Sequence, residues 1–86
     1  MQLEVFTSAF CEPCMQARAV IAQVPPLVPT ARVTELDVVR DNAKAEQEGI
    51  RSTPTVIVRT DNGAEVFRAE GVPTLPQVLA ALAKAL

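Results

Sequence analysis

Apolar and polar positions divide this chain into stretches of two different periods. Leu3 to Thr7 is a short apolar run around Val5 and Phe6, stopped by Ser8 and Ala9, and it predicts a buried strand. From Pro13 the period lengthens. Cys14, Ala17, Ile21 and Val24 recur at spacings of three and four, while Gln16, Arg18 and Gln23 fall on the opposite side, so an amphipathic helix is predicted. Proline is tolerated at position 13 because the first turn has no intrahelical partner for the missing N–H. Pro25-Pro26 predicts the helix's end. Arg32 to Val38 predicts a second strand, and its charges Arg32, Glu35 and Asp37 suit the edge of a sheet. With a helix between them, the two strands form a right-handed βαβ unit and lie parallel.

Asp41 is placed to cap a short polar helix running to Gly49, a residue suited to a left-handed helix end. Thr55 to Arg59 is β-branched and apolar, and Glu65 to Ala69 alternates. Asp61-Asn62-Gly63 between them carries the residue types that take positive φ in a hairpin, so these strands are expected to be antiparallel. Thr74 and Gln77 form a capping box, and Leu75, Val78, Leu79, Leu82 and Leu86 make the apolar stripe of a last helix. The predicted order is βαβαββα, with residues 1–86 as one α/β domain.

Composition narrows the class. The 86 residues, about half of them apolar, suffice for a single core. Phe6, Phe10 and Phe67 are the only aromatics, so that core is aliphatic. A net charge of −2 supplies no basic footprint for nucleic acid, and no run reaches membrane-spanning length. The N-terminal residues read as a strand rather than a cleavable signal. A cytoplasmic protein is therefore expected, and in that compartment a lone cysteine pair points to catalysis or metal binding more than to a structural staple.

Both cysteines stand in Phe10-Cys11-Glu12-Pro13-Cys14, between the first strand and the first helix. Three positions apart, the thiols can close and reopen a small disulfide ring, a two-electron switch. Cys11, at the helix start, faces free N–H groups and the positive end of the helix dipole, which stabilise a thiolate nucleophile. Cys14, a turn further in on the apolar side, is the candidate resolving thiol, kept protonated by burial. The same spacing suits half of a zinc or iron–sulfur site. With no histidine and no second cysteine pair in the chain, such a site would need ligands from a partner chain.

Three stretches in this order resemble the thioredoxin superfamily: Phe10-Cys11-Glu12-Pro13-Cys14, then Gly49-Ile50-Arg51-Ser52-Thr53-Pro54-Thr55, then Asn62-Gly63 followed by Gly71 before the last helix. The resemblance covers nearly the whole chain, without the extra N-terminal strand and helix of a typical thioredoxin. It implies a four-stranded mixed sheet of order 2-1-3-4 with helices on both faces, and a cis bond at Thr53-Pro54. The backbone of Thr53 would be offered to an extended substrate, and Phe10, Glu12, Pro13, Val72 and Pro73 would surround the thiols. The activity implied is reduction of protein or small-molecule disulfides by a monomer, with no cofactor beyond the Cys11–Cys14 pair. The electron donor would be a reductase or a low-molecular-weight thiol.

Two positions depart from the family pattern. Val5 stands where thioredoxins usually carry a buried aspartate that shuttles the resolving thiol's proton. Water or Glu12 would take over that task, and mixed disulfides should resolve more slowly. Phe10 stands where tryptophan is usual, so recognition by a thioredoxin reductase does not carry over. A glutaredoxin-like, glutathione-dependent enzyme is the alternative of the same class. Val72-Pro73-Thr74 lacks the paired glycines and acidic residue that glutaredoxins use to hold glutathione.

Overall fold

The computed structural model describes residues 1–86. Its elements run β1 (Gln2–Thr7), α1 (Glu12–Ile21), α2 (Val24–Leu27), β2 (Arg32–Asp37), α3 (Asn42–Gln47), β3 (Thr55–Arg59), β4 (Glu65–Glu70) and α4 (Leu75–Lys84). The strands form one mixed sheet in the order β2-β1-β3-β4, as the resemblance implies. β1 and β2 are parallel, whereas β3 is antiparallel to both β1 and β4.

Alternation along the strands gives the sheet two unlike faces. Leu3 and Val5 of β1, with Val56 and Val58 of β3, meet Ala17 and Ile21 of α1, Val24, and Val78, Ala81 and Leu82 of α4 in the main core. Fully burying each of the larger aliphatic side chains is worth about 1.5–3 kcal/mol. The other face has a much smaller cluster, Phe6 and Ile57 under Ala45 of α3. Beyond it the face turns polar. Arg59 donates to Glu4 at 2.9 Å and to the carbonyl of Gly63 at 3.1 Å, and it also pairs with Glu48.

Four local expectations are corrected. The first helix ends before the prolines. Pro25 and Pro26 cannot donate back to the preceding turn, so the chain restarts as the one-turn α2 with Pro25 in its opening turn. Asp41 precedes α3 but caps nothing, because its carboxylate accepts from the Asp37 N–H and the Arg40 guanidinium instead. In the β3–β4 connection only Gly63 takes positive φ, at 90°, closing a Thr60–Gly63 turn by its N–H to the Thr60 carbonyl. A bulge at Val58/Arg59 absorbs the extra residue. The stripe of α4 is completed by Ala81 and Ala85, while Leu86, beyond the last helical turn, is exposed.

The expected end of α3 at Gly49 is observed. Gly49 has φ 67°, its N–H reaches the Glu46 carbonyl, and the Ile50 N–H reaches the Ala45 carbonyl. This turn sends the chain back across the sheet toward Thr53.

Candidate active site

The parallel β1–β2 pair and the antiparallel β1–β3 pair bring the carboxyl end of β1, the carboxyl end of β2 and the start of β3 to one edge. The cysteines are at that edge. Leaving β1, the chain turns through Phe10, a non-glycine residue at φ 56°, and enters α1 with Cys11 at the N-cap in extended geometry. A left-handed φ on a bulky residue is unusual in an L-amino-acid chain and marks a constrained turn. The Phe10 side chain contributes nothing to the core and projects fully into solvent.

Cys11 and Cys14 are joined as a disulfide, with Cα atoms 5.2 Å apart. Their surroundings differ. Cys14 is fully buried on the helix side that also carries Ala17 and Ile21, whereas Cys11 lines an open cleft of about 370 Å³ with Ser8, Ala9, Phe10, Glu12, Met15 and Arg18. Cys11 Sγ accepts the Cys14 N–H at 3.2 Å, one of the donors that every helix start leaves without an intrahelical partner. The Thr53 hydroxyl stands 3.8 Å from the same sulfur, and so does the Thr53 carbonyl. A disulfide sulfur has no proton to give, so the hydroxyl is the group able to donate here. Ser8 Oγ lies 2.7 Å from Thr53 Oγ1 and is free to donate to it in turn.

Of the residues expected to surround the thiols, Phe10 and Glu12 share the Cys11 cleft. Thr53 lines a neighbouring cleft of about 200 Å³ with Ser8, Val38, Ile50, Arg51 and Ser52. Pro13 is exposed in the first turn of α1, and Val72 is exposed as well; neither lines these clefts. The Thr53-Pro54 bond is cis. Pro54 and Pro73 are buried, and neither lines these clefts. Val5 is nearly fully buried in the main core.

Sequence reasoning missed Ser8 and a polar cluster on the α1 side of the sheet. Arg18, expected to face outward, folds its guanidinium onto Glu35, with Nε at 3.0 and 2.9 Å from the two carboxylate oxygens. The buried Thr7 hydroxyl donates to the same carboxylate at 3.0 Å. Hydrogen bonding from Arg18 outweighs the effect of burial and holds the Glu35 carboxyl below the usual glutamate range. The signal lay in the strand register. Glu35 stands directly opposite Val5, on the face that α1 covers.

A thioredoxin from Methanocaldococcus jannaschii is 32% identical to this chain over 87 residues, covering all of the chain and 96% of the relative. The chain belongs to the thioredoxin superfamily. Among solved structures, thioredoxin 1 from Thermosipho africanus superimposes with a TM-score of 0.83 at 20% identity, covering 98% of this chain and 92% of that one. A mutant thioredoxin from Halobacterium salinarum gives a TM-score of 0.87 at 24% identity, over 98% and 73% of the two chains. These two likenesses speak to fold alone. No family model matches the chain. Membership together with the Cys11–Cys14 pair makes this thioredoxin-like chain a protein-disulfide oxidoreductase. No helix is long and apolar enough to cross a membrane.

Proposed function

We propose that the protein reduces disulfides of proteins or small molecules, with Cys11 as nucleophile and Cys14 as resolving thiol. The observation that carries this reading is the contrast between a Cys11 sulfur open to a cleft and a fully buried Cys14. In the reduced protein the Cys11 thiolate attacks one substrate sulfur. A bond forms between them, and the substrate S–S bond breaks to release a first thiol. Cys14 then loses its proton and attacks Cys11, releasing the second thiol and closing the Cys11–Cys14 disulfide. A reductase or a low-molecular-weight thiol restores the dithiol.

The helix-start N–H of Cys14 and the Thr53 hydroxyl supply hydrogen bonds to Cys11 that favour its thiolate. The backbone of Thr53, beside the sulfur, is available to pair with an extended substrate as an added strand would. Val5 offers no group to take the Cys14 proton, so water arriving after the mixed disulfide forms is the acceptor in this reading, and resolution is slow.

The test is dithiothreitol-driven reduction of insulin followed by turbidity. Wild type should accelerate it and Cys11→Ser should run at the uncatalysed rate. Acceleration retained in Cys11→Ser would overturn the assignment. The rival reading, a metal or iron–sulfur centre shared by two chains, predicts metal near one equivalent per dimer that is lost with either cysteine. Within this chain no three acidic or cysteine side chains converge to hold an ion.

A further inference from the structure

We infer that Glu12 makes the site selective by charge, favouring disulfides that carry a positive group near the scissile bond over anionic ones. The inference rests on the thiol-exchange reading above. Glu12 follows Cys11 directly, is exposed, and lines the same cleft. At this edge of the sheet the cations are already matched: Arg18 to Glu35, Arg40 to Asp41 and Arg51 to Glu70. Arg18 lines the cleft as well, but its charge is neutralised by the carboxylate lying against its Nε and Nη2. Asp37 is engaged by the N–H groups of Val39 and Arg40. Glu12 makes no hydrogen bond or ion pair. The cleft that an incoming substrate must cross therefore carries one uncompensated negative charge next to the more accessible of the two cysteine sulfurs.

A unit charge held about 7 Å from that carboxylate changes its encounter with Cys11 about three- to eight-fold at effective dielectric constants between bulk water and half that value. The effect fades as salt shortens the screening length. Glu12 also acts on Cys11 itself, by disfavouring the thiolate. That influence multiplies the rate with every substrate equally, so it cancels from a ratio of substrates. Selectivity is thereby separable from nucleophilicity.

The experiment uses the reduced full chain, freed of dithiothreitol, oxidised in single turnover by three reagents: cystamine with two ammonium groups, bis(2-hydroxyethyl) disulfide with none, and 3,3′-dithiodipropionate with two carboxylates. In each case two protein thiols are oxidised to Cys11–Cys14 and the reagent is reduced to two thiols. Intrinsic differences among the reagents cancel because wild type and variants meet the same three. At low ionic strength the cystamine-to-dithiodipropionate rate ratio should fall at least about fivefold in Glu12→Gln, and it should fall further in Glu12→Lys. About 0.5 M salt should shrink the wild-type ratio toward that of Glu12→Gln. A ratio within twofold of wild type in both variants would overturn the inference while leaving disulfide reduction intact. Failure of even the neutral disulfide to oxidise the wild-type dithiol would sink the thiol-exchange reading and this inference with it.

Discussion

The outer and inner sides of the first turn of α1 carry the same functional group in opposite surroundings. Outside, Cys11 caps the helix, accepts a backbone N–H, and opens on a cleft rimmed by Phe10, Glu12 and Met15. Inside, Cys14 begins the stripe continued by Ala17 and Ile21 and is sealed from solvent. The chain differentiates two chemically identical thiols by the point at which the apolar stripe of a helix begins. Three residues of spacing put one thiol ahead of the stripe and the other on it. A spacing of four from Cys14, by contrast, leads to Arg18, whose head group is recovered for the sheet by Glu35.

The largest expected break in this contrast comes from a carboxylate placed at each position under reducing conditions. Cys14→Asp should cost at least about 3 kcal/mol in urea melts, because it buries an acid with no partner. Cys11→Asp should instead be up to about 1 kcal/mol more stable than Cys11→Ala, since aspartate is a favoured N-cap and can accept the N–H that the sulfur accepts now. Equal costs at the two sites would erase the distinction. Next in size is reactivity. Iodoacetamide should modify Cys11 of the reduced native protein more than about tenfold faster than Cys14, as expected when one sulfur is reached only through local opening. Peptide mapping after partial alkylation reads the ratio.

Thr53→Val should cost about 0.5–1.5 kcal/mol by removing the partner of Ser8, and it should also slow alkylation of Cys11 near neutral pH by removing a donor to the sulfur. An unchanged alkylation profile would show that the helix start alone stabilises the thiolate. The smallest effect belongs to Glu35. Its lowered carboxyl pKa means that it stabilises the fold fully above about pH 4.3, the ordinary glutamate value, and loses that contribution as pH falls through the lowered folded value. Glu35→Gln should therefore lower stability at neutral and alkaline pH by a constant amount and flatten part of the acid-side decline measured by urea unfolding across pH 3–6.

The element order, the two long helices and the placing of both cysteines were legible in the sequence because each rests on periodicity and on punctuation by proline and glycine, whereas the sheet order came from the resemblance to the thioredoxin superfamily. Errors arose where a side chain had two possible partners. Asp41 has the right identity for a cap, but Arg40 beside it and the Asp37 N–H take its oxygens. Leu86 fits the stripe of α4 by spacing, yet the last helical turn ends before it and small Ala85 fills the core position. The active site divides in the same way. Cys11, Cys14 and Glu12 follow from local sequence, whereas Ser8 and the Thr7–Glu35–Arg18 cluster depend on residues 11 to 45 positions apart that only the sheet register and the β3 entry bring together.

The most direct test of the central claim is capture of the mixed disulfide. Reduced Cys14→Ser and Cys11→Ser proteins are each mixed with insulin or bis(2-hydroxyethyl) disulfide, quenched in acid, and mapped by mass spectrometry. The difference in exposure between the two sulfurs predicts a stable adduct through Cys11 in Cys14→Ser and almost none in Cys11→Ser. An adduct forming faster through Cys14 than through Cys11 would contradict it, and would reverse the roles assigned to the two sides of the turn.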